Sequence, residues 1–154
     1  MKKAVNDASL FIAYEKNLEK FIGSVVKTGI PKKQGDTQHS GGQTVFEIGV
    51  VHEFGSPSKN IPKRSFIREP IMNAQKEIIK LIERNHKKVS ENAMTATVAL
   101  NQLGIIASSI QKDSFSNNKW SALKPSTIKA KGSSAPLIDT GRLRNSITYI
   151  VEKG

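Results

Sequence analysis

Between Arg68 and Lys112 the apolar residues keep a helical spacing. Ile71, Ala74, Ile78, Leu81, Ile82 and Val89 fall on one face, and Val98, Leu103, Ile106 and Ile110 resume it further on. In a chain of 154 residues, a stretch this long commits the fold to one bent helix or a pair, around which the rest must pack. Ser65 is a candidate cap, and Pro70 is tolerated only in the first turn or as a kink there. Glu83 and Lys87 pair across one turn of the solvent face, and a break is expected near Ser90.

The flanking segments are shorter. Tyr14, Leu18, Phe21, Ile22 and Val25 predict an amphipathic helix over about 10–28, capped by Asp7 or Ser9 and stopped before Gly29 and Pro31. Residues 29–43 are polar and glycine-rich and read as a mobile loop. Val45, Phe46, Ile48, Val50 and Val51 are β-branched, aromatic or aliphatic in a short run, which predicts a strand from Thr44 to about Val50. Gly55 to Pro62 reads as a proline loop, and Ser114 to Asn118 as another loop. Pro125 to Gly132 predicts a two-turn helix with proline at its start and glycine at its end. A single turn through Arg144, capped by Asp139 or Thr140, precedes a closing strand over Ser146–Glu152. The expectation is a single α+β domain spanning 1–154: a small β-sheet packed against a long, bent or broken α-helix, with an additional N-terminal helix and long loops.

What chemistry this frame carries is narrowed by what is missing. There is no cysteine, hence no disulfide, thiolate metal site or thiol nucleophile. No apolar run reaches the ~18–20 residues of a membrane span, and Met1-Lys2-Lys3 opens a polar stretch unlike a secretory signal. A soluble protein made inside the cell is expected. His39, His52 and His86 lie in different predicted elements without metal-ligand spacing. Asp139-Thr140-Gly141 has the composition of an aspartic-protease turn, but too little chain follows it for that fold; capping and turn formation explain it better. Lys131-Gly132-Ser133-Ser134 lacks phosphate-loop spacing. Trp120, near Lys119 and Lys124, is either a base-stacking platform or a core anchor. The residues support no enzyme, cofactor or metal. The formal charge of +11 increases toward the C-terminus and suits an acidic neighbour such as nucleic acid, or simply a lysine-rich surface.

Two segments carry a more specific pattern. The first is Val50-Val51-His52-Glu53-Phe54-Gly55 with Asn60-Ile61-Pro62-Lys63-Arg64-Ser65-Phe66-Ile67-Arg68. The second is Leu123-Lys124-Pro125-Ser126-Thr127-Ile128 with Lys131-Gly132, then Pro136-Leu137-Ile138-Asp139-Thr140-Gly141-Arg142-Leu143-Arg144-Asn145-Ser146-Ile147. Together they resemble the neck and tail-completion proteins of long-tailed bacteriophages, the virion morphogenesis or minor tail family. In many relatives the Asp-Thr-Gly segment precedes the Glu-Phe-Gly segment; here it follows. The resemblance implies strands packed on a long helix, no catalysis, and a ring of like subunits, hexameric or dodecameric, at the head–tail junction. It further implies connector or stopper partners toward the head and tail terminator or tail tube proteins toward the tail. Such a protein is made in the bacterial cytoplasm, resides in the virion and has no membrane partner; contact with genomic DNA would be non-specific. The motif residues implied as interface or framework are Glu53, Phe54, Gly55, Ile61, Pro62, Arg64, Phe66, Pro125, Thr127, Lys131, Gly132, Leu137, Asp139, Thr140, Gly141, Leu143 and Ser146. The alternative is a small basic nucleic-acid-binding protein.

Overall fold

A computed structural model describes residues 8–38, 42–117, 120–132, 134, 136–137 and 140–153. Its axis is α6 (Ala96–Asn117), 22 residues and about 33 Å long. Before it lie α1 (Ala8–Ile22), β1 (Ser24–Gly29), α2 (Lys32–Gly35), α3 (Val45–Phe54), α4 (Arg68–Asn73) and α5 (Gln75–Ser90). After it come α7 (Pro125–Lys131), α8 (Arg142–Asn145) and β2 (Thr148–Lys153). β1 and β2 form a two-stranded antiparallel sheet, with Ser24 opposite Lys153 and Gly29 opposite Thr148. Both strands pack on α6, so the α+β architecture of a small sheet against a long helix holds.

The long helical region divides twice. α4 is separated from α5 at Ala74, and α5 from α6 by a turn in which Asn92 takes a left-handed φ of 55°. The second break is the one expected near Ser90. Leu81, Asn85 and Val89 of α5 are buried at four-residue spacing, and Ala96, Ala99 and Leu100 of α6 are buried where the two helices meet. Gly104 has a packing reason: a Cβ there would lie 2.1 Å from Cδ2 of Tyr149, so β2 settles on the helix only because the side chain is missing.

Four expectations need correction. The segment predicted as a strand over Thr44–Val50 is α3. Thr44 accepts a hydrogen bond from the Glu47 N–H, and the Glu47 carboxylate accepts one from the Thr44 N–H, a complete capping box. Val45, Gly49 and Glu53 then form a buried face at helical spacing, and tertiary packing overrides β-propensity. The first helix, predicted to about residue 28, stops at Ile22. Gly23 ends it, and Ser24 to Thr28 pair with β2, a partner from the far end of the chain. The loop over 29–43 contains α2, whose buried Gly35 sits against Phe46 so closely that a Cβ would come within 3.0 Å of the Phe46 Cβ. The loop predicted from Ser114 is the last turn of α6, held because Phe115 is buried in the core.

That core gathers Val45, Phe66, Phe115, Leu143 and Ile147, with Ile30, Ile48, Ile67, Trp120 and Leu137 packed against it. Phe66 meets Phe115 edge-on at 5.2 Å between ring centres, and Phe115 meets Trp120 likewise at 5.9 Å. Trp120 therefore stands as a core anchor. It joins the two motif segments, which are about 60 residues apart in sequence, to one end of α6.

Candidate functional site

The segment 64–67 leads into α4, which begins at Arg68, and polar groups of this stretch are met from three directions. From α3, Glu53 reaches in: its Oε1 accepts from the Ser65 hydroxyl at 2.6 Å and the Arg68 N–H at 3.2 Å, and its Oε2 accepts from the Ile67 N–H at 2.9 Å. A carboxylate at a helix start satisfies orphan donors and suits the positive end of the helix dipole. From α6, the Gln111 Nε2 donates to the Ile67 carbonyl at 3.2 Å, and the Ser114 hydroxyl donates to the Gln111 carbonyl at 2.7 Å. Arg64, only 4% exposed, donates its backbone N–H to the His52 carbonyl and its Nη2 to the Ser121 carbonyl at 3.1 Å. Burial lowers its guanidinium pKa from the ordinary value. Arg64 thus ties the first motif to the chain leading into the second.

Gly55 closes α3 at φ 78°, where a Cβ would fall 2.9 Å from the Lys63 nitrogen; only glycine fits this approach. Ser56 and Ile61 then bridge across the proline loop. In the second motif, Pro125 begins α7 and Gly132 closes it at φ 70°. Gly141 opens α8 at φ 74°, and the Ser146 hydroxyl donates to the Arg142 carbonyl at 2.8 Å at its end. The Thr140 hydroxyl accepts a long 3.4 Å bond from the Arg142 N–H. Asp139 lies outside the described residues, as does the side chain of Lys131.

Between the two motifs lies a cleft of about 370 Å³. Val45, Ile48, Val51, Ile61, Leu123, Leu137 and Leu143 give it an apolar floor; Lys59, Thr127, Thr140 and Arg142 stand at its polar positions. Predicted motif residues Ile61, Thr127, Leu137, Thr140, Gly141 and Leu143 are therefore brought together. Glu53, Arg64 and Phe66 are instead buried in the framework behind it, Pro62 is exposed, and Phe54 is 65% exposed on the outside. Among the described residues, no three His, Asp or Glu side chains gather to hold a metal, and no helix is long and apolar enough to cross a membrane. Gln111 and Ser114 escaped sequence reasoning because they sit on the polar-looking end of α6; a polar pair three apart on a helix carries no local signal of what it clamps.

Elsewhere on the surface, α3 is unusual. Seven of its ten residues are apolar or glycine and they are not confined to one side, with Glu47, His52 and Glu53 standing between them. One side is buried in the core, while Phe46, Val50 and Phe54 form a stripe at four-residue spacing, 54%, 39% and 65% exposed. A second apolar group, Leu10, Phe11 and Ile12, stands exposed at the start of α1.

Comparison with known proteins adds one short likeness. An uncharacterized protein of Methanocaldococcus jannaschii is 46% identical over 39 residues, 25% of this chain and 29% of that protein. No protein-family model and no solved structure matches the chain.

Proposed function

We propose that this protein is a structural virion subunit of a tailed bacteriophage, a neck or tail-completion component that forms a ring at the head–tail junction and helps join head to tail. The observation that carries the reading is α3. An apolar stripe left exposed at Phe46, Val50 and Phe54 suits burial against a neighbour. The second half of α3, from Val50 to Phe54, belongs to the first of the two segments that resemble the tail-completion family, and the outer stripe is left for a neighbouring molecule. The motif residues support the same reading through their tasks. Glu53, Gly55, Arg64, Gly132, Gly141 and Ser146 hold helix ends and turns, which is the work of a rigid framework and not of a reaction centre. Lys59 and Arg142 at the cleft suit weak, sequence-blind contact with phosphate of passing DNA.

The decisive experiment is reconstruction of the intact particle together with deletion of the gene. The reading expects the protein in finished virions as a ring, and unjoined heads and tails without it. Absence from particles, or normal joining in the deletion, refutes it. A gel shift at two salt concentrations addresses the alternative: high affinity for nucleic acid near physiological salt would favour the small basic binder.

A further inference from the structure

We infer that the outer face of α5 binds the phosphate backbone of duplex nucleic acid, whatever its sequence. The inference goes beyond the virion reading and does not depend on it. Lys76, Lys80, Arg84 and Lys88 follow one another at four-residue spacing along α5, and all four are exposed. Among the described residues none of the four has an ion-pair partner, whereas Lys87 beside them pairs with Glu91 at 3.9 Å. Like charges four residues apart weaken a helix, and here Lys76–Lys80, Lys80–Arg84 and Arg84–Lys88 do so in succession. A sequence chosen for helix stability alone would alternate sign along this row. An anionic partner lying along it relieves the repulsion.

The row stands on a fixed support. Leu81, Asn85 and Val89, on the opposite side of α5, are buried, and the Asn85 Nδ2 donates to the Ala99 carbonyl of α6 at 3.2 Å. From Lys76 to Lys88 the row runs about 18 Å. One strand of a duplex carries a phosphate every ~3.4 Å of its axis, so the row lies opposite about five phosphates. Glu77, Glu83 and Glu91 are set among the cations, which keeps the net attraction small and the contact reversible.

The composition of the helix selects the duplex among polyanions. Single strands are held by stacking bases on aromatic rings as well as by charge. α5 has no Phe, Tyr or Trp, and the ring of His86 lies against Phe21. A membrane-surface helix keeps its apolar face for the lipid. α5 commits Leu81 and Val89 to the protein, and the exposed Ile79 and Ile82 are too small an apolar surface to enter a bilayer. What is left is a row of charge that reads phosphate and no base.

The test titrates the full chain against a fluorescent duplex of mixed sequence at several salt concentrations. Four phosphate contacts predict a slope of log affinity against log salt of about −3.6, an affinity roughly 150-fold weaker at ~200 mM than at ~50 mM salt. Lys76→Gln, Lys80→Gln, Arg84→Gln and Lys88→Gln combined should flatten that slope by about 3–4 and weaken binding at low salt by at least ~30-fold. The control replaces four exposed lysines on other elements, Lys16, Lys33, Lys129 and Lys153, by Gln. It removes the same charge and should keep the slope and lose less than ~3-fold. Equal losses in the two variants would mean net charge alone and overturn the inference, as would an unchanged slope in the α5 variant. Tighter binding to vesicles of anionic lipid than to duplex, lost in the same variant, would overturn it in favour of a membrane. Gln matches Lys and Arg in helix propensity, so the α5 variant should melt no lower than the parent. If it does melt lower, Glu77→Gln with Glu83→Gln decides: duplex binding should tighten by at least ~3-fold, and unchanged affinity refutes the contact. A virion ring of subunits that fail these titrations would sink this contact and leave the ring; duplex binding by a protein absent from virions would do the reverse.

Discussion

Replacing Glu53 probes the framework where it is densest. Its carboxylate takes three hydrogen bonds, from the Ser65 hydroxyl and from the Ile67 and Arg68 amides, and the residue is 7% exposed. In Glu53→Ala all three donors lose their acceptor, each at ~1–3 kcal/mol when buried. Ile67 and Arg68 are less buried than Ser65, so water recovers part of the loss, and about 4 kcal/mol is expected overall. Against a total stability of ~5–15 kcal/mol this is a large fraction, and it corresponds to a melting temperature lower by roughly 8–16 °C. Glu53→Gln separates shape from charge. With its carbonyl placed at the Oε1 position it keeps the Ser65 and Arg68 bonds, but its amide then faces the Ile67 N–H, donor against donor. It should cost ~1–3 kcal/mol. Urea and thermal unfolding followed by circular dichroism would measure both. A loss below about 1 kcal/mol for the alanine variant, or equal losses for the two, would show that the clamp does not hold the segment as argued.

Gly104→Ala should destabilise by ~1–3 kcal/mol through overpacking on Tyr149, outweighing a helix-propensity gain of ~1 kcal/mol. In a Tyr149→Ala background the same change should become neutral or stabilising, and chemical unfolding of the four chains reads the cycle. Phe66→Ala, at the fully buried centre of the core, should cost ~3–5 kcal/mol by urea unfolding; a cost under about 1 kcal/mol would contradict its placement. The Glu47 carboxyl is held below its ordinary pKa by the Thr44 N–H and then by its hydroxyl. A lowered folded value means that the capping box is complete above the ordinary Glu range and is lost as pH falls through the lowered value. Amide exchange at the start of α3 should therefore quicken on acidification, and Glu47→Gln should flatten that dependence.

What the sequence conveyed about the fold follows how local each signal is. α7 was legible because proline and glycine punctuate it within eight residues, and β2 because its alternation needs no partner to be seen. The break near Ser90 showed as an interruption of the apolar spacing. α3 misled because Val45, Ile48, Val50 and Val51 favour strands, while the deciding signal, Thr44 with Glu47 three residues later, is a pair of polar residues. β1 was hidden because only β2 distinguishes it from one more turn of helix. The convergence of the two motifs on one cleft was implied by no spacing at all; it depends on Phe66, Phe115 and Trp120 meeting in space.

The pairing of β1 with β2 also sets an order in time. The strands lie about 120 residues apart, so the entropy of closing that loop must be met before the sheet contributes anything. On a ribosome adding ~5–20 residues per second, β1 waits roughly 6–24 s for its partner. During that interval the groove at Gly104 lies open, and the middle of α6 lacks the Tyr149 ring that fills it. The α5–α6 pair can form locally and early, whereas the sheet is the last part to set. A nascent chain is thus helical and partly uncovered until β2 emerges, and the six residues of that strand act as the latch that covers the middle of α6.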